Sequence, residues 1–406
     1  MNTSRCGLAI ALSLTGFAIV ADADEYVRDL TKPKDADPLF LIRRADHWGF
    51  MDARGKTVIQ PRFDDAGYFF NGLARVKVGK LWGFTNEAGK TVIPPQFEAA
   101  GDFRERLAPV RVGRKWGYID QKGRMLIAPA FQGAVAFREG LARVEIWNRV
   151  LCGRGIVRTN EDAPEYVFYI QPDIPDHFRD SCHPVDSKIG YIDNTGRLVI
   201  PPRFAKAHDF SEGLALVRID STEFGKYGFI DHTGVVVTGF QFDEAHDFSE
   251  GLAAVLVGRR KVNGSRDPGS YGFIDRLGKF VIRDQFAEAG DFSEGLSPVS
   301  FRDRQGWGYI EKTGKLAITG QYTALKPFSE GFAEACFELD ISSWRCIYID
   351  HSAKVVINSV QASHPFSGGL AMAEDDKGAT FYIDKAGKPI ASLDAGTKLP
   401  AIANHK

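Results

Sequence analysis

The sequence predicts an all-β protein of tandem repeats, about nine copies of a unit with three short antiparallel strands, arranged as an open β-solenoid-like array. One observation is a Trp-Gly pair at a constant interval, since Trp48, Trp82 and Trp116 lie 34 residues apart. Another is the abundance of Gly (42) and Phe (30), which favours many turns and aromatic core positions. A closed, propeller-like ring is the alternative, but propeller blades usually have four strands and more than about 40 residues.

Each repeat opens with an aromatic-Gly-aromatic strand that leads into a turn. The turn has Asp at its first position and Gly at its fourth, as at Asp120 and Gly123, which is typical of a type I β-turn. The strand opens at Trp48, Trp82, Trp116, Ile189, Tyr227, Tyr271 and Trp307, with degenerate copies near Cys346 and Thr380. The loss of Gly from the last two copies suits terminal units with fewer neighbours.

Two further strands complete the predicted unit. One is β-branched and ends in proline, as in 91–95, because proline stops ladder pairing. The other follows a Glu-Gly turn and reads Leu-Ala-x-Val, as in 141–144, with the alternation of a half-buried strand. One unit has little core of its own, so neighbours must stack to bury the aromatic side chains. The predicted repeat core comprises Trp48, Trp82, Trp116, Trp307, Phe103, Phe137, Phe210, Phe248 and Phe292.

These motifs resemble the WG (KWG) repeat family. The shared order is Trp-Gly-aromatic-Ile-Asp-x-x-Gly-Lys, then Val-Ile-x-Pro-x-Phe, then Phe-Ser-Glu-Gly-Leu-Ala-x-Val, and it recurs over about 47–392 with one insertion. The resemblance implies an all-β repeat protein, commonly bacterial, without an established general activity. It therefore implies no catalytic residue for this chain.

The N-terminus indicates export. Arg5 precedes the apolar run 7–20, and Ala21-Asp22-Ala23 offers a cleavage site, so we expect a secretory signal peptide and a periplasmic or secreted protein. The expected organisation is a signal peptide at 1–23, a lead-in at 24–46, repeats 1–3 at 47–146, an insertion at 147–187, repeats 4–9 at 188–392 and a tail at 393–406.

Charge and hydropathy argue against two classes of protein, and the number of cysteines indicates disulfides. A net charge of -1 argues against nucleic-acid binding, and no later apolar run is long enough to span a membrane. Removing Cys6 with the signal peptide leaves an even number of cysteines, which favours disulfides in an exported chain. Four cysteines allow three connectivities, of which proximity favours Cys152–Cys182 with Cys336–Cys346.

The departures from the repeat are the best functional candidates, because insertions often lie on the binding face. The insertion 147–187 carries aromatic and histidine residues between two cysteines, and we interpret it as a stapled loop that presents them to a ligand. A lid that only covers the array is the structural alternative. A basic loop at 258–266 is more typical of a solvated hairpin tip. The candidate ligand-binding residues are Trp147, Tyr166, Tyr169, His177 and Trp344.

The sequence gives little support for a catalytic or metal site. His208 and His246 occupy matching positions in successive repeats, but repetition alone creates such coincidences, and no metal or cofactor is predicted. No nucleophile elbow or phosphate-binding loop is found. We therefore expect a non-catalytic binding or scaffolding protein for a protein or cell-envelope glycan partner. The alternative is an envelope-polymer hydrolase with its site near 147–187.

Overall fold

The structure, a computed structural model, describes residues 33, 36, 39–152, 155–158, 182–220, 222, 225–262, 265–302, 306–340, 343–360, 362–375 and 378–394. Within these ranges the regular structure is antiparallel β-strand and no helix is present, so the predicted all-β class is confirmed. No sheet closes on itself into a barrel among the described residues.

The strands are short and follow one another along the whole described chain. The first are β1 (Phe40–Arg44), β2 (His47–Met51), β3 (Thr57–Phe63), β4 (Asp65–Phe70), β5 (Leu73–Val78), β6 (Leu81–Asn86), β7 (Thr91–Phe97), β8 (Ala99–Ala100), β9 (Leu107–Val112), β10 (Lys115–Asp120), β11 (Met125–Phe131) and β12 (Gly133–Ala134). The next are β13 (Ala142–Cys152), β14 (Gly155–Arg158), β15 (Cys182–Ile192), β16 (Leu198–Phe204), β17 (Lys206–Ala207), β18 (Ala215–Arg218), β19 (Tyr227–Ile230), β20 (Val236–Phe242), β21 (Glu244–Ala245), β22 (Ala253–Val257), β23 (Arg260–Val262) and β24 (Ser265–Asp267). The last are β25 (Ser270–Ile274), β26 (Phe280–Ala289), β27 (Leu296–Phe301), β28 (Trp307–Glu311), β29 (Leu316–Tyr322), β30 (Ala324–Leu325), β31 (Ala333–Asp340), β32 (Ser343–Ile349), β33 (Val355–Val360), β34 (Ala362–Ser363), β35 (Leu370–Glu374), β36 (Thr380–Asp384) and β37 (Pro389–Ser392).

These strands form nine successive units. Units 1 to 5 are β1–β3, β4–β7, β8–β11, β12–β16 and β17–β20, and units 8 and 9 are β30–β33 and β34–β37. Unit 6 contains β21, β22, β25 and the start of β26, which continues into unit 7 with β27–β29. The basic loop forms the separate hairpin β23–β24.

The sheets are offset from the sequence repeats and have an additional strand. In unit 3 the Leu-Ala-x-Val strand β9 pairs with β10, the Trp-Gly strand of the following repeat. A two-residue strand, β8, then pairs with the free edge of β9. Most units therefore have four strands instead of the predicted three, and each draws them from two neighbouring repeats.

The Gly of each Trp-Gly pair is explained by a bulge in the adjacent strand. In unit 2 the β6–β7 register shifts between Trp82 and Phe84, which brings the β7 backbone over Gly83. A Cβ at Gly83 would lie 2.5 Å from Ile93 O and 2.6 Å from Pro95 N. The strand also runs through the prolines to Phe97, whereas proline was expected to end it. Proline is tolerated there because β7 is an edge strand of its sheet.

One contact between a turn and a strand recurs at the junctions between units. The Gly123 turn of unit 3 packs on Ile93 of unit 2, and the Gly387 turn of unit 9 packs on Ile357 of unit 8. The Gly55 turn of unit 1 makes this contact with Ile390 of unit 9. The first and last units are therefore neighbours.

Further hydrogen bonds cross this closing junction, and one of them comes from the tyrosine that bonds the next unit elsewhere. Between units 3 and 4, Tyr118 Oη donates to Val135 O at 2.8 Å; between units 9 and 1, Tyr382 Oη donates to Leu41 O at 2.8 Å. Arg43 N donates to Leu393 O, so the C-terminal residues of unit 9 lie beside β1. The sequence favoured an open array over a closed ring, and these contacts support the closed alternative.

The Glu-Gly turns hold neighbouring units together. In unit 5, Glu212 and Gly213 have φ of 53° and 83°, the two left-handed residues of a type I′ hairpin turn. A left-handed backbone is unfavourable for Glu, by about 1–2 kcal/mol. Its carboxylate offsets this cost by accepting Gly251 N–H of unit 6 at 2.9 Å. Equivalent bonds, in which a carboxylate accepts a Gly N–H of the next unit, are made by Glu105, Glu139, Glu250, Glu294 and Glu330.

Candidate ligand-binding site

Of the predicted ligand-binding residues, the structure describes the side chain of Trp147 alone. Trp147 lies in β13 at the base of the insertion, where its Nε1 donates to Glu145 Oε1 at 3.2 Å. The backbone of Trp344 belongs to β32, and its side chain lies outside the described part. Outside the described residues lie Tyr166, Tyr169 and His177.

The cysteines fall on paired strands. Cys336 and Cys346 are cross-strand partners in β31–β32 and form a disulfide bond. Cys152 and Cys182 are also direct backbone partners, in β13–β15, but their side chains are outside the described part. Glu334 lies close to Cys336 and Cys346, as a metal site would require. Both sulfurs are oxidised in the disulfide, so neither offers a thiolate.

The predicted core residues lie at equivalent packing positions. Trp48 and Trp116 are 7% and 3% exposed, whereas Trp82 and Trp307 are half-buried. The phenylalanines pack edge-on against the aromatic residue after each Trp-Gly, as Phe103 does on Phe84 at 4.7 Å between ring centroids. Buried in this way are Phe103, Phe137, Phe210, Phe248 and Phe292. The phenylalanine side chains are therefore held inside the units.

A shallow cleft lies at the base of the insertion, between units 3 and 4. Trp116 forms its buried wall, and Arg143 and Glu145 supply its charged groups. The lining residues are Trp116, Gly133, Ala134, Val135, Arg143, Val144, Glu145 and Ile189. Because Glu145 binds Trp147 Nε1, the predicted ligand residue Trp147 lies at the edge of this cleft.

Polar residues of units 3 and 4 meet beside the cleft. With its amide oriented to satisfy both neighbours, Gln132 accepts from Lys115 Nζ at 2.6 Å and donates to Glu145 O at 3.2 Å. Burial lowers the pKa of Lys115. The carboxylate of Glu145 thus lines the cleft, the Lys115–Gln132 pair lies beside it and Trp147 lies at its edge, a combination that suits a polyhydroxylated ligand with an apolar face.

A charged cluster extends from the cleft towards unit 5. Arg143 Nε lies 2.6 Å from Asp209 Oδ1, and Arg143 Nη1 donates to Ala207 O. Arg138 Nε is 3.6 Å from Asp209 Oδ2. Burial, together with the positive charge of Arg138 and against the opposing effect of Asp209, lowers the pKa of Arg104 to about 10.

Sequence reasoning missed the residues of this cluster, although a signal for two of them was present. Arg104 and Arg138 stand where five other repeats have Ser, four of them in Phe-Ser-Glu-Gly. Lys115 and Glu145 carry no sequence signal, because only the pairing of neighbouring units brings them together.

The two histidines at matching positions belong to separate junctions. His208 Nδ1 lies 2.9 Å from Asp247 Oδ1, and His246 Nδ1 lies 2.7 Å from Asp291 Oδ1. Each histidine is therefore engaged by a different aspartate, and the two do not share a ligand position. Burial opposes the charged form of His246, but the hydrogen bond and negative charge of Asp291 outweigh it and raise its pKa.

Comparison with known proteins identifies repeats and distant structural similarity. A family model described as WG containing repeat matches residues 48–82, 82–116, 116–146, 189–222, 227–259, 271–304 and 307–338. A search of curated proteins found no match. In the part of the chain that the structure describes, no helix is long and apolar enough to cross a membrane.

Solved structures with similarity to the chain have low sequence identity. BamB from Moraxella catarrhalis is 10% identical, with 91% of this chain and 89% of that chain covered and a TM-score of 0.34. The tricorn protease is 11% identical, with coverages of 89% and 40% and a TM-score of 0.24. A quinohemoprotein alcohol dehydrogenase from Pseudomonas putida HK5 is 8% identical, with coverages of 80% and 65% and a TM-score of 0.33. The chain thus spans less than two thirds of the length of the last two.

Proposed function

Because the chain belongs to the WG containing repeat family and its repeats build a ring with one interrupted unit, we propose that it is a non-catalytic binding or scaffolding protein. Its ligand would be a component of the cell envelope, reached after export to the periplasm or cell exterior. Repeat proteins provide extended binding surfaces because each unit contributes similar exposed positions.

The cleft beside the insertion is the observation on which this proposal depends. Arg143 and Glu145 line it, Trp147 lies at its edge, and the Lys115–Gln132 pair lies next to it. Such a mixture of flat apolar surface and hydrogen-bonding groups is what a sugar requires, so we favour an envelope glycan over a protein partner.

The test is retention of the mature protein on envelope glycans and envelope fractions. We compare wild type with Trp147→Ala and with a deletion of 150–185, and use deletion of the hairpin 260–267 as the matched control. We expect the first two variants to lose most of the retention, by tenfold or more, and the control to keep it. Unchanged retention without 150–185 would overturn the proposal. Retention on protein fractions alone would identify a protein ligand, and release of soluble fragments would favour the hydrolase alternative.

A further inference from the structure

A buried arginine of unit 5 has no counter-charge in the part of the chain that the structure describes. Arg218 ends β18 and is 9% exposed. Among the described residues no carboxylate forms an ion pair with its guanidinium, and its Nε is buried without a hydrogen-bond partner. A charge removed from water without a partner is unfavourable, so this guanidinium is a candidate anion-binding group.

The equivalent arginine of unit 3 has the partner that Arg218 lacks. Arg111 and Arg218 occupy the same place in their units, because each carbonyl accepts the N–H of the residue before the two-residue strand. That residue is Glu98 in unit 3 and Ala205 in unit 5, with bonds of 3.2 and 2.8 Å. Glu98 Oε2 lies 3.6 Å from Arg111 Nε, whereas the methyl group of Ala205 offers no acceptor. Unit 5 therefore keeps the cation of this pair without its anion.

The residues paired with Arg218 across the sheet add no negative charge. Lys206 in β17 and Tyr227 in β19 are its direct partners, so the three side chains lie on one face of the sheet. Arg218 Cζ lies 5.4 Å from the centroid of the Tyr227 ring. Burial raises the pKa of Tyr227 against the opposing charge of Arg218, and Glu244 adds to the rise, so the phenol stays protonated. This face thus has two cations and a hydroxyl group.

The carboxylates of this region are engaged by other groups. Asp220 is exposed, and its Oδ1 accepts from Thr222 N and Thr222 Oγ1 at 3.0 and 2.8 Å. Glu244 Oε1 accepts from Arg259 Nη2 at 2.7 Å. Neither carboxylate forms an ion pair with Arg218, so a ligand would supply the missing negative charge.

We propose that Arg218, with the ring of Tyr227 beside it, binds the carboxylate group of a small-molecule ligand at unit 5. A guanidinium donates two parallel N–H bonds to a planar carboxylate and neutralises its single charge. A phosphate dianion fits less well, because Lys206 is engaged by another group and one guanidinium compensates one charge. The cleft described above belongs to units 3 and 4, so this is a second binding site and goes beyond the proposed function.

The repeats themselves supply the variants for the test. Ala205→Glu places in unit 5 the carboxylate that unit 3 has at this position, and Arg218→Leu introduces the residue that unit 6 has there, Leu256. Both should therefore fold. The controls make the same changes of charge at exposed positions, Ala128→Glu in β11 and Arg197→Leu, whose arginine side chain is 77% exposed.

Calorimetric titration with acetate, N-acetylglycine and glucuronate measures the binding, with glucose as the neutral partner of glucuronate. We expect wild type and both controls to bind at least one of these acids. Ala205→Glu and Arg218→Leu should bind it about tenfold more weakly or less, because a hydrogen bond between charged groups is lost. The acid that binds best assigns the source of the carboxylate: a bare acid, a chain terminus or an acidic sugar.

Three results would overturn the proposal. They are the absence of binding to wild type at millimolar acid, equal affinity of Arg218→Leu and wild type, and tighter binding of inorganic phosphate than of all three acids. If Arg218→Leu does not fold, Ala205→Glu decides alone, because it keeps the arginine and occupies it from within. Ala205→Glu should also raise the melting temperature relative to Ala128→Glu, and an unchanged or lower value would contradict an unpaired guanidinium at this place.

Discussion

The junction between units 4 and 5 and the junction between units 6 and 7 share one backbone frame but differ in their charged pairs. In the first, Arg143 lies 2.6 Å from Asp209; in the second, His246 lies 2.7 Å from Asp291. Each aspartate precedes the buried Phe of its unit, and each cation comes from the unit before. The first pair is permanently charged, whereas the second depends on the protonation of a histidine.

The pairing of this aspartate with a cation recurs at several junctions of the ring. An Asp at this position occurs where the preceding unit supplies a cation, as with Arg75 and Asp102. Where the position is Ala136 instead, the preceding unit presents Pro109 at the place equivalent to Arg143. Mismatched neighbours would leave a buried charge without its partner, so the pairs help to specify the order of the units.

The largest effect is expected from removing the shared carboxylate of the first junction. Asp209→Asn leaves Arg143, whose side chain is 17% exposed, without a counter-charge and places it beside Arg138. We expect a loss of about 2–3 kcal/mol in the free energy of unfolding, less than for a fully buried pair because Asp209 is partly exposed. Urea denaturation measures it.

The second junction provides the control. At a pH above the raised pKa of His246, Asp291→Asn removes only a hydrogen bond with an uncharged partner, so we expect a loss of about 1 kcal/mol or less. Similar losses for the two variants would mean that charge does not distinguish the junctions.

The sequence predicted the repeated strands and turns well, because each depends on residues close together in the chain. The Asp120 turn, for example, is closed by Gly123 N donating to Asp120 O, as the Asp-x-x-Gly spacing indicates. Closure of the ring depends instead on Tyr382 meeting Leu41, which are 341 residues apart. No local pattern encodes that contact, and the degenerate Gly-free terminal repeats suggested open ends.

The sequence and the structure point to the candidate site through different features. The sequence singled out the insertion, and Trp147 at its base lies beside the cleft. The charged residues that line the cleft, Arg143 and Glu145, belong to no motif that the sequence could single out. The offset between repeats and sheets was likewise hidden, because pairing β9 with either neighbour gives the same alternation of side chains. Pairing partners are a tertiary property, and periodicity alone does not determine them.

A smaller effect, which depends on pH at the second junction only, is expected from replacing His246. Facing this ring are Asp291, Asp247, Glu244 and Tyr271. Because the folded pKa of His246 is raised, its contribution to stability is complete below the unfolded pKa, about 6.5, and is lost as pH rises through the folded pKa. The melting temperature of His246→Gln should therefore fall less between pH 6 and pH 9 than that of wild type.

Arg143→Gln is the matched variant for that comparison. It removes the cation of the other junction, so it should lower the melting temperature at both pH values while keeping the wild-type pH dependence. A wild-type pH dependence in His246→Gln would show that this histidine does not respond to pH in the way its surroundings indicate.

The smallest expected effects have opposite signs at the two junctions. Ser249→Ala removes the Oγ bond to Phe292 O and should cost about 1 kcal/mol of unfolding free energy. Arg138→Ser supplies such a hydroxyl between units 4 and 5 and relieves the repulsion with Arg104, so it should raise stability by about 0.5 kcal/mol. Thermal unfolding of the two single variants measures both changes. If Arg138→Ser is destabilising, Arg138 supports the ring as Ser249 does; if it is stabilising, the repulsion from Arg104 outweighs the ion pair with Asp209.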